Sequence, residues 1–173
     1  MSKTITAVTM KGNPVTLVGK DIDIGQPAPD FTAVANDLST FKFSSLQGKK
    51  IIISAVPSLD TPICDKETKR FNQESASLGK DVVILTISMD LPFAQKRWCA
   101  ASVVKNVLIV SDHRDAAFGE AYGVLIQGAR LLARAIFVVD TEGIVRYKQV
   151  VPEIAQEPNY DDVLEAVKKI ASR

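Results

Sequence analysis

"KIIISAVPSLDTPICDKETKRFNQESASLGKDVVILTIS", residues 50–88, holds two continuous apolar runs with a helix-like stretch between them. The first run, "KIIISAV" at 50–56, is rich in β-branched residues and suits a strand covered on both faces. "DVVILTIS" at 81–88 has the same character. Between them Thr61 stands before Pro62, and Gly79 follows Leu78. A hydroxyl cap, a proline at the first helical position and a glycine just past the last turn bracket a helix from about 61 to 78. Strand, helix and strand in that order predict two parallel strands joined by a crossover.

The same grammar continues on both sides. "LPFAQKRWCAASVV" at 91–104 reads as a second helix, again opened by a proline, and "VLIVSD" at 107–112 as a third strand. "RDAAFGEAYGV" at 114–124 is a short helix. "ARAIFVVD" and "IVRYKQVV" alternate around "TEG" at 141–143, which makes a hairpin and an antiparallel edge. "YDDVLEAVKKIAS" at 160–172 closes the chain as an amphipathic helix. Toward the start, "TITAVTMKGNPVTLVG" at 4–19 reads as a hairpin around a Gly-Asn-Pro turn. "QPAPDFTAVANDLSTFKFSSLQGKK" at 26–50 carries short strand-like pieces and a turn at Gly48. The expected fold is therefore α/β, a mixed sheet flanked by helices with an N-terminal β-hairpin. With 173 residues and no internal repeat or linker, residues 1–173 are expected to form a single domain.

Composition narrows the function. Apolar residues make up 46% and charged residues 24%, with a formal net charge of +1. No basic run argues for nucleic acid or a membrane surface, and no apolar stretch reaches transmembrane length. The opening "MSKTITAVTMKGNP" lacks the apolar core of a secretory signal, which leads to the expectation of a cytoplasmic protein. Such a compartment keeps thiols reduced, so the two cysteines, Cys64 and Cys99, do not read as a structural staple. The one histidine, His113, excludes designs that need several imidazoles, including the usual zinc hydrolase sites. Cys64, Cys99 and His113 match no compact metal-ligand spacing.

Cys64 falls three residues after the cap, in the first helical turn. Unpaired backbone N–H groups and the positive end of the helix dipole converge there and favour a thiolate, which is the nucleophile. On a helical wheel it shares a stripe with Thr68, Phe71, Ser75 and Leu78, so it faces the protein. Burial works against the charged form. Asp60 and Asp65 are acidic and Lys66 points elsewhere, so a reactive thiol here needs a cation from a distant segment. Cys99 has Lys96 and Gln95 as its i−3 and i−4 neighbours, which puts it on the more polar side of its helix. A half-exposed thiol suits exchange with a partner. The cysteines lie 35 residues apart on different helices, and a disulfide between them requires one helix end to unwind. Two inert core thiols and a redox pair both remain open on these grounds. Trp98, beside Cys99, reads as packing and as a fluorescent reporter.

Pro57, Thr61 and Cys64 spell P-x-x-x-T-x-x-C, which resembles the active-site motif of the peroxiredoxins. "SMDLPFAQKRWC" at 88–99, "GNPVTLVG" near the start and "LLARAIFVVD" at 131–140 are similar to the bacterial thiol peroxidase subfamily, atypical two-cysteine peroxiredoxins. The resemblance runs over nearly the whole chain. It implies a thioredoxin-like fold, with Cys64 as peroxidatic and Cys99 as resolving cysteine within one chain. It implies that Thr61 holds the peroxide, that Pro57 shapes the pocket and that Arg134 is the cation Cys64 needs. It also implies hydroperoxides as substrates, thioredoxin as reductant, a homodimer, and no metal, flavin or haem. The alternative is a peroxide sensor, in which Cys64 oxidation signals. A protein thiol–disulfide oxidoreductase is disfavoured because no C-x-x-C pair is present.

Overall fold

A computed structural model describes residues 7–102 and 107–171. The expectations for residues 4–6, 103–104 and 172 lie outside the described residues. The strands are β1 (Val8–Met10), β2 (Asn13–Val15), β3 (Leu17–Val18), β4 (Thr32–Val34), β5 (Thr40–Lys42) and β6 (Lys50–Ala55). They continue as β7 (Val82–Ser88), β8 (Leu108–Ser111), β9 (Leu125–Ile126), β10 (Leu131–Leu132), β11 (Ala135–Val139) and β12 (Val145–Val150). The helices are α1 (Pro62–Leu78), α2 (Pro92–Ser102), α3 (Ala117–Ala121) and α4 (Tyr160–Ala171).

The main sheet runs β12-β11-β6-β7-β8-β4-β5. Its middle, β6-β7-β8, is parallel, as the intervening helices require. β6 shows why its sequence has no polar face. Ile51, Ile53 and Ala55 pack into one core with Phe31, Phe118 and Phe137, while Ile52 and Val56 pack into the other with Phe71, Trp98 and Val163. Helices α1, α2 and α4 supply the second core, and α3 and the N-terminal third of the chain supply the first. Among the described residues, no helix is long and apolar enough to cross a membrane.

The structure differs from the expectation at three places. The late hairpin does form an antiparallel edge, with β11 antiparallel to both β6 and β12. The opposite edge is antiparallel too, because the strand-like pieces before Gly48 become β4 and β5, and β4 adds to β8. The N-terminal hairpin turns at Lys11–Gly12 rather than at Gly-Asn-Pro; Asn13 and Pro14 already belong to β2. Both turn residues have positive φ, 51° and 80°, which is what a tight two-residue hairpin with matching twist demands. The hairpin's outer part then leaves its partner. Leu17–Val18 joins β9 and β10 in a small sheet that the sequence reading did not separate. Gly19 ends β3 where any side chain would collide with the Glu120 carbonyl.

Candidate active site

Strand β6 ends at Ala55, and the chain crosses to α1 through a short loop of residues 56–61. The loop is pinned by one carboxylate. Asp90 Oδ1 accepts from Ser58 Oγ at 2.6 Å, and Asp90 Oδ2 accepts from the Leu59 N–H at 2.8 Å and from Ser88 Oγ at 2.6 Å. Pro57 is buried at the start of this loop. Thr61 is extended, as an N-cap must be; its hydroxyl donates to the Ser58 carbonyl at 2.9 Å and accepts from the Cys64 N–H at 3.4 Å. The cap predicted from Thr61-Pro62 is therefore made, and it fixes the hydroxyl beside the first turn.

Cys64 is 0% exposed, and the cation its burial calls for is Arg134. The guanidinium comes from the segment between β10 and β11 and donates through Nη2 to Cys64 Sγ at 3.3 Å. It is itself held on two sides. Nε donates to the Ile154 carbonyl and Nη1 to Glu67 Oε2, each at 2.9 Å. A planar donor fork can serve a thiol, a carboxylate and a carbonyl at once, where a lysine ammonium would not hold that geometry. The guanidinium thus lies against the sulfur, where it can offset negative charge.

Glu67 is the residue that the sequence reading missed. It stands one turn after Cys64, is fully buried, and pairs with Arg134. Burial pushes its carboxyl up to about 7, against the pull of Arg134, and Glu67 Oε1 has no hydrogen-bond partner. The available signal was an acidic residue three positions from Cys64, on the inward side of the same helix. Such a residue needs a buried cation as much as a thiolate does.

Over the start of α1 lies a cavity of about 400 Å³. Pro57, Thr61, Ile63 and Arg134 form part of its wall, and Leu131 and Ile154 close another part. Met10 and Lys11, from the N-terminal hairpin, complete it. That hairpin is clamped by Glu153, which accepts from the Gly12 N–H at 2.8 Å and the Thr9 hydroxyl at 3.0 Å. The exposed lining is almost entirely apolar, and Thr61 and Arg134 are among its polar residues, with Ser58 and Lys11.

Cys64 and Cys99 are both free thiols, with no disulfide between them. The expected polar side of α2 is solvent-facing only in part: Lys96 is exposed, but Gln95 is not. Gln95 is fully buried, because its amide donates to Ser88 Oγ at 3.0 Å and to the Val110 carbonyl at 2.9 Å. Cys99 is half-buried, and burial pushes its thiol up while a hydrogen bond from the Asn36 side chain draws it back. A polar link across to α1 runs through its neighbour, with Trp98 Nε1 donating to Asp65 Oδ1 at 2.8 Å. His113 lies after β8 with its N–H on Ser111 Oγ and takes no part in the site. Among the described residues, no group of three or more His, Cys, Asp or Glu side chains could hold a metal ion.

The redoxin family profile matches residues 23–164. A thiol peroxidase of Bacillus subtilis is 51% identical over 163 residues, 94% of this chain and 97% of the relative. The chain belongs to the redoxin family, in its bacterial thiol peroxidase branch. A solved peroxiredoxin-like protein from Aquifex aeolicus is 44% identical and superposes with a TM-score of 0.89 over 98% of this chain and 99% of its own. A thiol peroxidase from Chromobacterium violaceum, at 17% identity, shares the fold with a TM-score of 0.86 over 98% of this chain and 99% of its own. The mixed sheet is thus the thioredoxin-like fold that the sequence leads one to expect. As a thiol peroxidase of the peroxiredoxin type, the chain is an enzyme that reduces peroxides.

Proposed function

We propose that Cys64 is the peroxidatic cysteine and Cys99 the resolving one, within the same chain. The observation that carries this reading is the 3.3 Å contact from Arg134 to a fully buried Cys64 in the first turn of a capped helix. The Cys64 thiolate attacks the near oxygen of a hydroperoxide, and the O–O bond breaks. The departing oxygen leaves as water or an alcohol after taking up a proton. Arg134 and the Thr61 hydroxyl stabilise the charge that builds on it, as oxyanion donors do. Pro57 keeps that side of the pocket closed to water. Cys64 is left as a sulfenic acid. The Cys99 sulfur then attacks the Cys64 sulfur, the S–O bond breaks, water leaves and a disulfide remains. Thioredoxin, as external dithiol, reduces it.

The apolar cavity beside Thr61 and Arg134 supports organic hydroperoxides as substrates alongside hydrogen peroxide. Thioredoxin, the homodimer, the cytoplasmic setting and the reading of 1–173 as one domain rest on the resemblance and the sequence pattern. The test is NADPH consumption with thioredoxin, thioredoxin reductase and cumene hydroperoxide. Wild type turns over and Cys64→Ser does not. Full activity in Cys64→Ser would remove the assignment.

A further inference from the structure

Helix α2 is lightly anchored. Among its eleven residues only Pro92, Gln95 and Trp98 are buried, and Trp98 is the one large apolar side chain of the three. Gln95 ties the first half of the helix to Ser88 and Val110, both in strands of the main sheet. The second half, which carries Cys99, depends on Trp98. The indole sits in the core beside α1, and its N–H reaches Asp65 Oδ1 at 2.8 Å. Lys69 Nζ holds the other carboxylate oxygen at 2.8 Å, so Asp65 is oriented to receive it. A hydrogen bond to an ionised carboxylate is among the stronger ones.

The positions in the chain give this bond its meaning. It joins residues 65 and 98, and the disulfide must join residues 64 and 99. A disulfide brings its Cα atoms to within about 4.4–6.8 Å, which two packed helices do not provide without rearrangement. Cys99 cannot travel to Cys64 while its neighbour remains seated on the residue next to Cys64.

We infer that the Trp98–Asp65 hydrogen bond is a latch that must open before Cys99 reaches Cys64, which makes Asp65 a positioning residue for disulfide closure. The inference rests on the reading of Cys99 as the resolving cysteine. While the latch is shut, the Cys64 sulfenic acid stays in its pocket. A second hydroperoxide can then oxidise it to the sulfinic acid, giving up one oxygen and leaving as an alcohol or water. Latch strength therefore divides each oxidised Cys64 between closure and over-oxidation.

The test separates the two steps on the full-length chain. Wild type, Trp98→Phe and Asp65→Asn are each mixed with cumene hydroperoxide, quenched with acid at intervals and resolved by mass spectrometry. Loss of the Cys64 thiol reports the peroxide-dependent step, and the disulfide reports the peroxide-independent one. Trp98→Phe keeps an aromatic ring in the core and removes the N–H. It should close about tenfold faster, with a matching fall in sulfinic acid at excess peroxide and the first step unchanged within about twofold. Asp65→Asn keeps an acceptor oxygen without the charge and should fall between the two. In wild type, fluorescence from the single tryptophan should change at the rate of disulfide formation. Equal or slower closure in both variants, or fluorescence unchanged through closure, would overturn the latch while leaving the resolving role of Cys99 intact. Absence of any Cys64–Cys99 disulfide in wild type would instead remove that role, and the latch with it.

Discussion

Cys64 and Cys99 carry the same side chain into opposite surroundings. Cys64 is enclosed on every side, with a threonine cap behind it, a guanidinium against its sulfur and a carboxylate-pinned loop before it. Cys99 is half-buried near the end of a thinly packed helix, with Asn36 as its side-chain hydrogen-bond partner. The first arrangement suits a nucleophile that must be charged and aimed before its substrate arrives. The second suits a thiol that waits protonated and then moves. On the proposed roles, pre-organisation and movement are divided between two helices of one chain.

Replacing Arg134 attacks the enclosed side most directly. Arg134→Met takes away the cation and leaves Glu67 buried without its partner. The second-order rate of Cys64 with hydroperoxide, followed by stopped flow, should fall about a hundredfold or more. A rate near wild type would mean that the capped helix start alone activates the thiol, and the contrast between the cysteines would weaken. Asp90→Ala tests the loop, since it frees Ser58, Leu59 and Ser88 together. The same rate should drop about tenfold, and urea denaturation should show a loss of about 1–3 kcal/mol.

Glu67 gives a pH signature between about 4.5 and 7, well below the range of the Cys99 thiol, which burial pushes up from 9.0. Its carboxyl is raised from 4.5 to about 7 in the folded protein. The folded state therefore binds this proton more tightly than the unfolded chain does. The resulting stability is full below about 4.5 and is lost as pH rises through about 7. Glu67→Gln removes that dependence, so the variant should gain on wild type between pH 4.5 and pH 8 in denaturant titrations. A difference that stays flat over that range would show Arg134 overriding burial. The smallest effect sharpens the comparison most. Cys99→Ser should leave the peroxide-dependent step within about twofold of wild type, while thioredoxin-linked NADPH oxidation stalls after one round. A large change in the first step would mean that the two surroundings are not independent.

Local signals made the centre of the fold legible. The β-branched runs at 50–56 and 81–88, and the Thr61-Pro62 start and Gly79 stop, each act within a few residues. The charge argument asked only for a cation from a distant segment, because the residues around Cys64 offered none; Arg134 itself came from the resemblance of "LLARAIFVVD" to the thiol peroxidases. What the sequence hid depends on distant partners. Gln95 looks like a surface residue until Ser88 and Val110 are beside it. Glu67 is tolerable inside only because Arg134 arrives from 67 residues away. The two-residue strands β3, β9 and β10 are too short to show any period, and the turn at Lys11 uses a left-handed conformation outside glycine.

The order of the sheet also sets a schedule. Cys64 and its cap are complete in the first half of the chain, but Arg134 enters only where β11 lies down against β6. A ribosome delivers Cys64, the proposed nucleophile, well before the charge proposed to arm it. A nascent or truncated chain that stops short of Arg134 would carry the proposed peroxidatic cysteine without its guanidinium partner. On the proposed roles, the thiol meets peroxide with its cation in place only when the last third of the protein has docked.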